Sequence, residues 1–578
     1  MEISRVQLRK KVTDKLTGKK VLGIVLFFLA LSFIYILPYF PWDALAFTKG
    51  QDGRFQLSRI DELYQQLRQG PFITYISLHT FSEIGYGVNF FYPFLMLIPA
   101  ALIRLLVSNP FQAYYLFIAA YTFATFLIAF FCMHDFSKNI RQSIIFSVIY
   151  GFAGFRAIDV FSRNALGEAI AITFLPLVFL GFYHILYGDR SKWYLLAVGM
   201  ALLINTHLLT VFMTALIFLI ILLPSLFFIT DFFKRLQAGF KSVLLTILLS
   251  LNFFVPFLDQ YLYTKMVGVT KFDVTEKSYP LWTQLQNSFS GTYEAWYDSY
   301  NLGTIIIILT LLGLFLYFKV TLKYRLTLFL GLFALILSTS AFPWEWFKET
   351  PIAIVQFPWR FLVFATFFFA IYSSGAVEAF LSSFRSKDLA TILSAFLILS
   401  AIFIHGIRSS DLKHINEAHQ GTHLYYDLNE ENFDDVLRGY LNRDYLPKKS
   451  EKEFRSIYRD EIFVDGQKSS DIKKTIKPRA YNFAFNLEKT STVDFPMLIY
   501  KNMWVYDNGK PIPWETSERG TVQVKLDKGK HSVSIGNSFT TVYKIAWLVS
   551  GVSWFVLLLI ILKKNHGKRS KLEMEVNR

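Results

Sequence analysis

Arg156, Asp159, Arg163 and Glu168 stand within thirteen residues, between one apolar run and the next. Spacings of three, four and five put several of them on one side of a short helix. Guanidinium forks match phosphate oxygens, and interleaved acids can orient them or act in catalysis. Surface ion pairs at a helix boundary are the plainer reading. Asp52 lies in Lys49-Gly50-Gln51-Asp52-Gly53-Arg54, where two glycines leave little bulk around the carboxylate. Such an acid can accept a proton from a hydroxyl nucleophile or ligate a divalent cation, although Asp-Gly is also a common turn pair. His207, in Asn205-Thr206-His207-Leu208, can meet a phosphate or a hydroxyl, or simply pack with its hydrogen bond satisfied. Arg360 closes Gln356-Phe357-Pro358-Trp359-Arg360 and opens an apolar run at headgroup depth. A lipid phosphate is its natural partner there, and ordinary snorkelling is the alternative.

The elements that position these groups are membrane helices. Twelve apolar segments take up most of the 578 residues, with 53% hydrophobic residues, 61 Phe and a mean hydropathy of +0.37. A bilayer core needs about twenty apolar residues as helix. The expected helices are about 21–40, 113–133, 141–156, 168–187, 193–206, 208–229, 242–258, 302–318, 326–339, 360–382, 389–405 and 544–562. The basic tail 1–20 precedes the first, and further basic clusters fall in alternate gaps up to the tail 563–578. By the positive-inside rule both tails are cytoplasmic, and the first helix is an anchor rather than a cleaved signal. The net charge of +16 then belongs to cytoplasmic loops and anionic lipid headgroups, not to nucleic acid. Parity leaves over the run Phe90–Val107, which is expected to be re-entrant or interfacial, interrupted by Pro93 and Pro99, the alternative being a true crossing offset by a miscounted short helix. The fourteen or so residues before His207 make a short helix, as if the chain turned within the outer leaflet.

Two stretches fall outside the membrane pattern. In the first external loop, 41–112, Leu57, Ile60, Leu63, Tyr64 and Leu67 recur at helical spacing among charged residues. That predicts an amphipathic helix lying at headgroup level. Residues 406–543 form an external module, polar and broken by turns. Asp507-Asn508-Gly509-Lys510 and Asp527-Lys528-Gly529-Lys530 predict hairpins, and Val522, Val524, Leu526, Val533 and Ile535 alternate as strands do. The module is expected to be a β-rich sandwich docked over the membrane part. Cys132 is the sole cysteine, so the module has no disulfide, which suits a Gram-positive surface.

Taken in order, these pieces resemble bacterial membrane proteins labelled 6-pyruvoyl-tetrahydropterin synthase-related, close to the YfhO group, within the glycosyltransferase C (GT-C) superfamily. The resemblance rests on Asp52-Gly53 with Arg59-Ile60, Gly85-Tyr86-Gly87 with Phe91-Tyr92-Pro93, and Arg163-Asn164-Ala165-Leu166-Gly167-Glu168 with Pro176. It continues through Thr206-His207-Leu208, Gln356-Phe357-Pro358-Trp359-Arg360 and Asp444-Tyr445-Leu446-Pro447. It implies a GT-C-like polytopic α-helical membrane protein of about twelve spans, with a β-rich external domain near the C-terminus. The label's pterin chemistry finds no support, because no histidine cluster has metal-ligand spacing. The implied activity is transfer of a sugar from a polyprenyl-phosphate carrier to an envelope glycopolymer or glycolipid on the outer face.

The resemblance makes Asp52 the expected catalytic base, with Glu168 or Asp159 as the second acid. Arg59, Arg156, Asp159, Arg163, His207, Gln356 and Arg360 are the expected substrate contacts. The acid pair of some GT-C enzymes is not present beside Asp52, which leaves a divalent cation open. A lipid-linked glycan transporter or a non-catalytic accessory subunit is the competing reading. A transporter places charges in mid-helix, whereas here they gather at one face.

Overall fold

Each of the twelve expected apolar segments is helical. The computed structural model describes residues 16–47, 51–70, 74–268, 270–295, 299–419, 428–440 and 443–576. Most of the N-terminal basic tail, and Lys49 and Gly50 of the first-loop motif, lie outside the described residues. Among those described, seven helices are long and apolar enough to cross a bilayer, or nine if each of two bent pairs is one span. Tyr194–Ile204 and Thr304–Leu314 have 11 residues each and Leu322–Leu337 has 16. An 11-residue helix reaches about 16 Å, roughly half of a hydrocarbon core.

Two expected helices are not straight. The 242–258 segment is a pair, Phe232–Leu249 and Leu251–Tyr263, bent by 73°. Pro256 withholds a ladder hydrogen bond in the second member. Beside the break, Asn252 donates to Asn205 Oδ1 at 2.8 Å and accepts the Ser550 hydroxyl at 3.0 Å. The 141–156 segment is Ile140–Gly151 followed, after a 44° bend, by Gly154–Ser162. Phe90–Val107 is no single helix. It divides into Val88–Phe91, a turn at Leu95–Leu97 and Ile98–Leu106, with Pro93 in the gap and Pro99 in the first turn of the last piece.

The helix after Asp52 spans Gly53–Gln69, as its periodicity predicts, but its charged residues Arg59, Asp61 and Glu62 do not face solvent. Its polar side is covered too: Ser58, Arg59, Asp61, Glu62 and Gln66 are all buried. Glu62 makes this affordable by accepting the amides of Leu78, His79 and Thr80 at 2.8–2.9 Å, the Thr80 hydroxyl at 3.0 Å and Gln66 Nε2 at 2.8 Å. A buried carboxylate persists when its lone pairs are taken in this way.

The helix entering the external module runs Lys387–His419, past the expected boundary at 405. The module then holds the short helices Phe433–Arg438 and Phe454–Tyr458. Ten strands follow: β1 (Ile462–Val464), β2 (Gln467–Ser469), β3 (Lys473–Lys477), β4 (Ala480–Leu487) and β5 (Ser491–Leu498). The rest are β6 (Met503–Asp507), β7 (Lys510–Pro511), β8 (Glu515–Thr516), β9 (Thr521–Leu526) and β10 (Gly529–Asn537). They form two five-stranded antiparallel sheets, β2-β1-β5-β9-β8 and β3-β4-β10-β6-β7. Phe483 and Phe495 meet between them, ring centres 4.5 Å apart.

The 507–510 hairpin is present, with Asn508 and Gly509 at φ 47° and 80°. The 527–530 hairpin is not. β9 pairs with β5 and β8, while β10 pairs with β4 and β6. Val522, Val524, Val533 and Ile535 are all buried, so the two strands meet as opposing faces of the core rather than edge to edge. The sandwich rests on the first loop. Tyr481 donates to the Leu78 carbonyl at 2.9 Å, Lys474 to that of Glu83 at 2.6 Å, and the Leu498 amide to that of Ile84 at 2.9 Å.

Candidate functional site

After the 44° bend the chain makes one wide turn, in which the Arg163 amide reaches back five residues to the Ile158 carbonyl at 2.9 Å. Such a turn sets Asp159 and Arg163 side by side and frequently marks a functional stretch. Arg163 Nη1 donates to Asp159 Oδ1 and, at 2.9 Å, to Glu168 Oε2. Its guanidinium lies 4.4 Å from the Trp359 ring centre and 5.8 Å from that of Tyr300. Those two rings stack 3.8 Å apart. A guanidinium lying against such an aromatic pair is attracted to the ring face.

Arg360 arrives from the other side. Its Nη1 donates to the Val355 carbonyl and to Gln356 Oε1, both at 2.8 Å, and its Nε lies 3.8 Å from Glu168 Oε2. Glu168 thus sits between two guanidiniums. Gln356 holds φ 63° and ψ −46°, a strained conformation worth about 1–3 kcal/mol that survives where its surroundings fix it. Gly167 permits a further approach, since a Cβ there would run into the Tyr92 hydroxyl and lie 3.1 Å from the His207 ring. His207 itself binds the Thr210 hydroxyl through Nδ1 at 2.8 Å. Asp159 Oδ2, Arg163 Nε and Arg360 Nε are buried without a hydrogen-bond partner.

Asp52 precedes its helix directly, and its amide donates to the Arg163 carbonyl at 2.9 Å. The bond ties the start of the Gly53–Gln69 helix to the end of the wide turn. Asp52 is half-buried. Burial raises its carboxyl above the usual range, Glu168 and Asp444 push the same way, and Arg163 and Arg360 oppose them.

Of the expected contacts, the structure brings Asp52, Asp159, Arg163, Glu168, His207, Gln356 and Arg360 to one place. Arg156 does not join them. It is 2% exposed and its guanidinium is spent on Thr122 Oγ1 at 2.9 Å, the Gly151 carbonyl at 3.2 Å and the Tyr35 ring at 4.7 Å. The bend before it turns it into the helix bundle. Arg59 lies behind the site, held by the carbonyls of Tyr92 at 3.0 Å and Pro93 at 2.6 Å, and burial pushes it down to about 10. Sequence reasoning missed Tyr92, Tyr300, Trp359 and Asp444 as site residues. Tyr92, Trp359 and Asp444 carried a signal as members of Phe91-Tyr92-Pro93, Gln356-Phe357-Pro358-Trp359-Arg360 and Asp444-Tyr445-Leu446-Pro447, and Tyr300 carried none.

Among the described residues no three of His, Cys, Asp and Glu gather as metal ligands. Asp159 Oδ1 and Glu168 Oε2 are taken up by the Arg163 guanidinium. The donor set does not fit a resident divalent cation.

The family described as "6-pyruvoyl-tetrahydropterin synthase related domain; membrane protein" matches residues 88–409. An uncharacterized protein of Lactococcus lactis subsp. cremoris (strain MG1363) is 23% identical over 337 residues, 55% of this chain and 54% of its own length. The chain therefore spans about half the length of the curated relative it matches. Among solved structures, the archaeal oligosaccharyltransferase AglB from Archaeoglobus fulgidus, in complex with an inhibitory peptide and a dolichol-phosphate, matches with a TM-score of 0.39. Identity is 13%, over 68% of this chain and 55% of that one. ArnT from Cupriavidus metallidurans, bound to undecaprenyl phosphate, matches with a TM-score of 0.35 and 10% identity, over 68% and 78% of the chains. At these scores neither likeness assigns a role to any residue here.

Proposed function

The chain belongs to the 6-pyruvoyl-tetrahydropterin synthase related family of membrane proteins, and from that premise we propose that it is a glycosyltransferase. It takes a sugar from a polyprenyl-phosphate carrier and passes it to a cell-envelope glycopolymer or glycolipid on the outer face of a Gram-positive membrane. The observation that carries this reading is Glu168 held between Arg163 and Arg360, beside a half-buried Asp52.

In this reading the two guanidiniums hold the carrier phosphate, and Glu168 and Asp159 hold the guanidiniums. The acceptor hydroxyl attacks the anomeric carbon, the bond from that carbon to the phosphate oxygen breaks, and Asp52 takes the hydroxyl proton. The polyprenyl phosphate leaves with its charge met by Arg163 and Arg360. Donors aimed at a developing anion each supply about 2.7–4 kcal/mol in comparable sites. The Trp359 and Tyr300 rings exclude water from one side of Arg163.

The experiment is sugar analysis of wall and lipoteichoic polymers from cells with and without the protein. Loss of one sugar substituent on deletion supports the reading. The same loss with lipid-linked sugar accumulating on the inner face alone favours a transporter, and unchanged polymers contradict both readings.

A further inference from the structure

Asp444 belongs to the external module, yet its carboxylate stands at the mouth of the arginine site. Its Oδ1 accepts the Thr270 amide at 3.3 Å and the Thr270 hydroxyl at 3.2 Å. The Thr270 carbonyl accepts Gln356 Nε2 at 2.7 Å, and Gln356 Oε1 accepts Arg360 Nη1 at 2.8 Å. Three separate stretches of chain are thus linked from Asp444 to Arg360. The turn that presents Asp444 is held from every side. Tyr86 donates to the Asp444 carbonyl, Tyr500 donates to the Tyr445 carbonyl at 3.1 Å, and the Tyr445 ring lies parallel to Phe91 with centres 5.8 Å apart. Tyr445 and Gln356, which flank the link, both hold φ 63°. Left-handed backbone at bulky residues persists where the surroundings require it.

The site therefore has two ends of opposite character. Arg163 and Arg360, each with a buried Nε that makes no hydrogen bond, suit an anion within. Asp52 and Asp444 at the mouth repel anions and accept hydrogen bonds from hydroxyls. Resting on the glycosyl-transfer reading above, we infer that Asp444 is an acceptor-binding residue, which holds a hydroxyl of an uncharged sugar or polyol unit of the acceptor for Asp52 to deprotonate. The external module is then part of the working site.

The charged groups around Asp52 are Arg54 and Arg59 on its own helix, Arg163 and Glu168 of the second loop, Arg360, and Asp444. Of these, Asp444 and Glu168 raise the Asp52 carboxyl. Removing the charge of Asp444 lowers it again.

The test uses membrane vesicles carrying the full-length protein, with radiolabelled hexose loaded on endogenous polyprenyl phosphate and wall polymer from deletion cells as acceptor. Asp444→Asn is expected to raise the apparent KM for polymer roughly tenfold or more, as for one charged hydrogen bond. It should leave the donor KM unchanged and move the acid limb of the pH profile to lower pH. Asp444→Glu, which keeps the charge, should raise the polymer KM with the acid limb unmoved. Wild-type values on both measures in either variant overturn the inference. Wild-type vesicles that transfer no hexose overturn the glycosyl-transfer reading and this inference with it, whereas normal wild-type transfer with an indifferent Asp444→Asn overturns this inference alone.

Discussion

The amide of Asp52 donates to the carbonyl of Arg163 across 2.9 Å. This bond joins the start of one loop's helix to the end of the other loop's wide turn, so the acid and the guanidinium are placed by backbone rather than by flexible side chains. Side chains fixed by neighbouring structure keep reacting groups within the narrow tolerance that transfer chemistry requires. The consequences below follow from that arrangement.

Asp52→Asn keeps the shape of the side chain and removes the proton acceptor. Transfer should fall by roughly 100-fold or more, the usual contribution of a general base. Membrane insertion and thermal stability should match the wild type. Transfer near the wild-type rate would remove Asp52 from the mechanism.

The pH profile has a definite sign. Burial raises the Asp52 carboxyl, with Glu168 and Asp444 adding to the shift. A base works only when ionised, so activity is lost as pH falls through that raised value, above the ordinary aspartate pKa of about 3.9. A plot of kcat/KM against pH should show an acid limb above the range of an exposed carboxylate. A limb within that range contradicts the assignment.

Arg360 contributes a planar fork whose Nη1 is already held by Val355 and Gln356. Arg360→Ala should weaken donor use by roughly 1.5–3 kcal/mol, the worth of a charged hydrogen bond. Arg360→Lys should lose less, because a point charge replaces the fork. Titration of the lipid-linked donor at fixed acceptor separates the two. Donor dependence equal to the wild type in both would make Arg360 an interfacial anchor.

Glu62 is fully buried and holds three backbone amides of the first loop. Glu62→Ala strands those donors at about 1–3 kcal/mol each. A melt in detergent should move down by several degrees, and protease should cut first between residues 74 and 87. An unchanged melt would show that the loop is held by other contacts.

Much of the fold was legible because hydrophobic runs of helical length and β alternation are local signals. The wide turn at Ile158–Ser162 was not, and with it went the direction of Arg156, which the sequence spacing places beside Arg163 and the bend turns away. The Gly53–Gln69 helix read as amphipathic, with one polar side, because Arg59 and Glu62 are charged. No local pattern announces that the loop behind Glu62 and the distant sandwich cover them. The β9 and β10 alternation was correct, but alternation specifies a buried face and not which sheet receives it. Asp444 was visible only as part of a motif, since its neighbours Thr270 and Gln356 are brought to it by tertiary packing.

The central claim is sugar transfer at a site where Asp52 faces Arg163 and Arg360. The most direct measurement is transfer of labelled hexose from polyprenyl phosphate to wall polymer in vesicles, comparing the wild type with Asp52→Asn. The account predicts labelled polymer with the wild type, and with Asp52→Asn intact donor binding but no labelled polymer above background. Equal labelling by the two proteins, or none by the wild type, would contradict it.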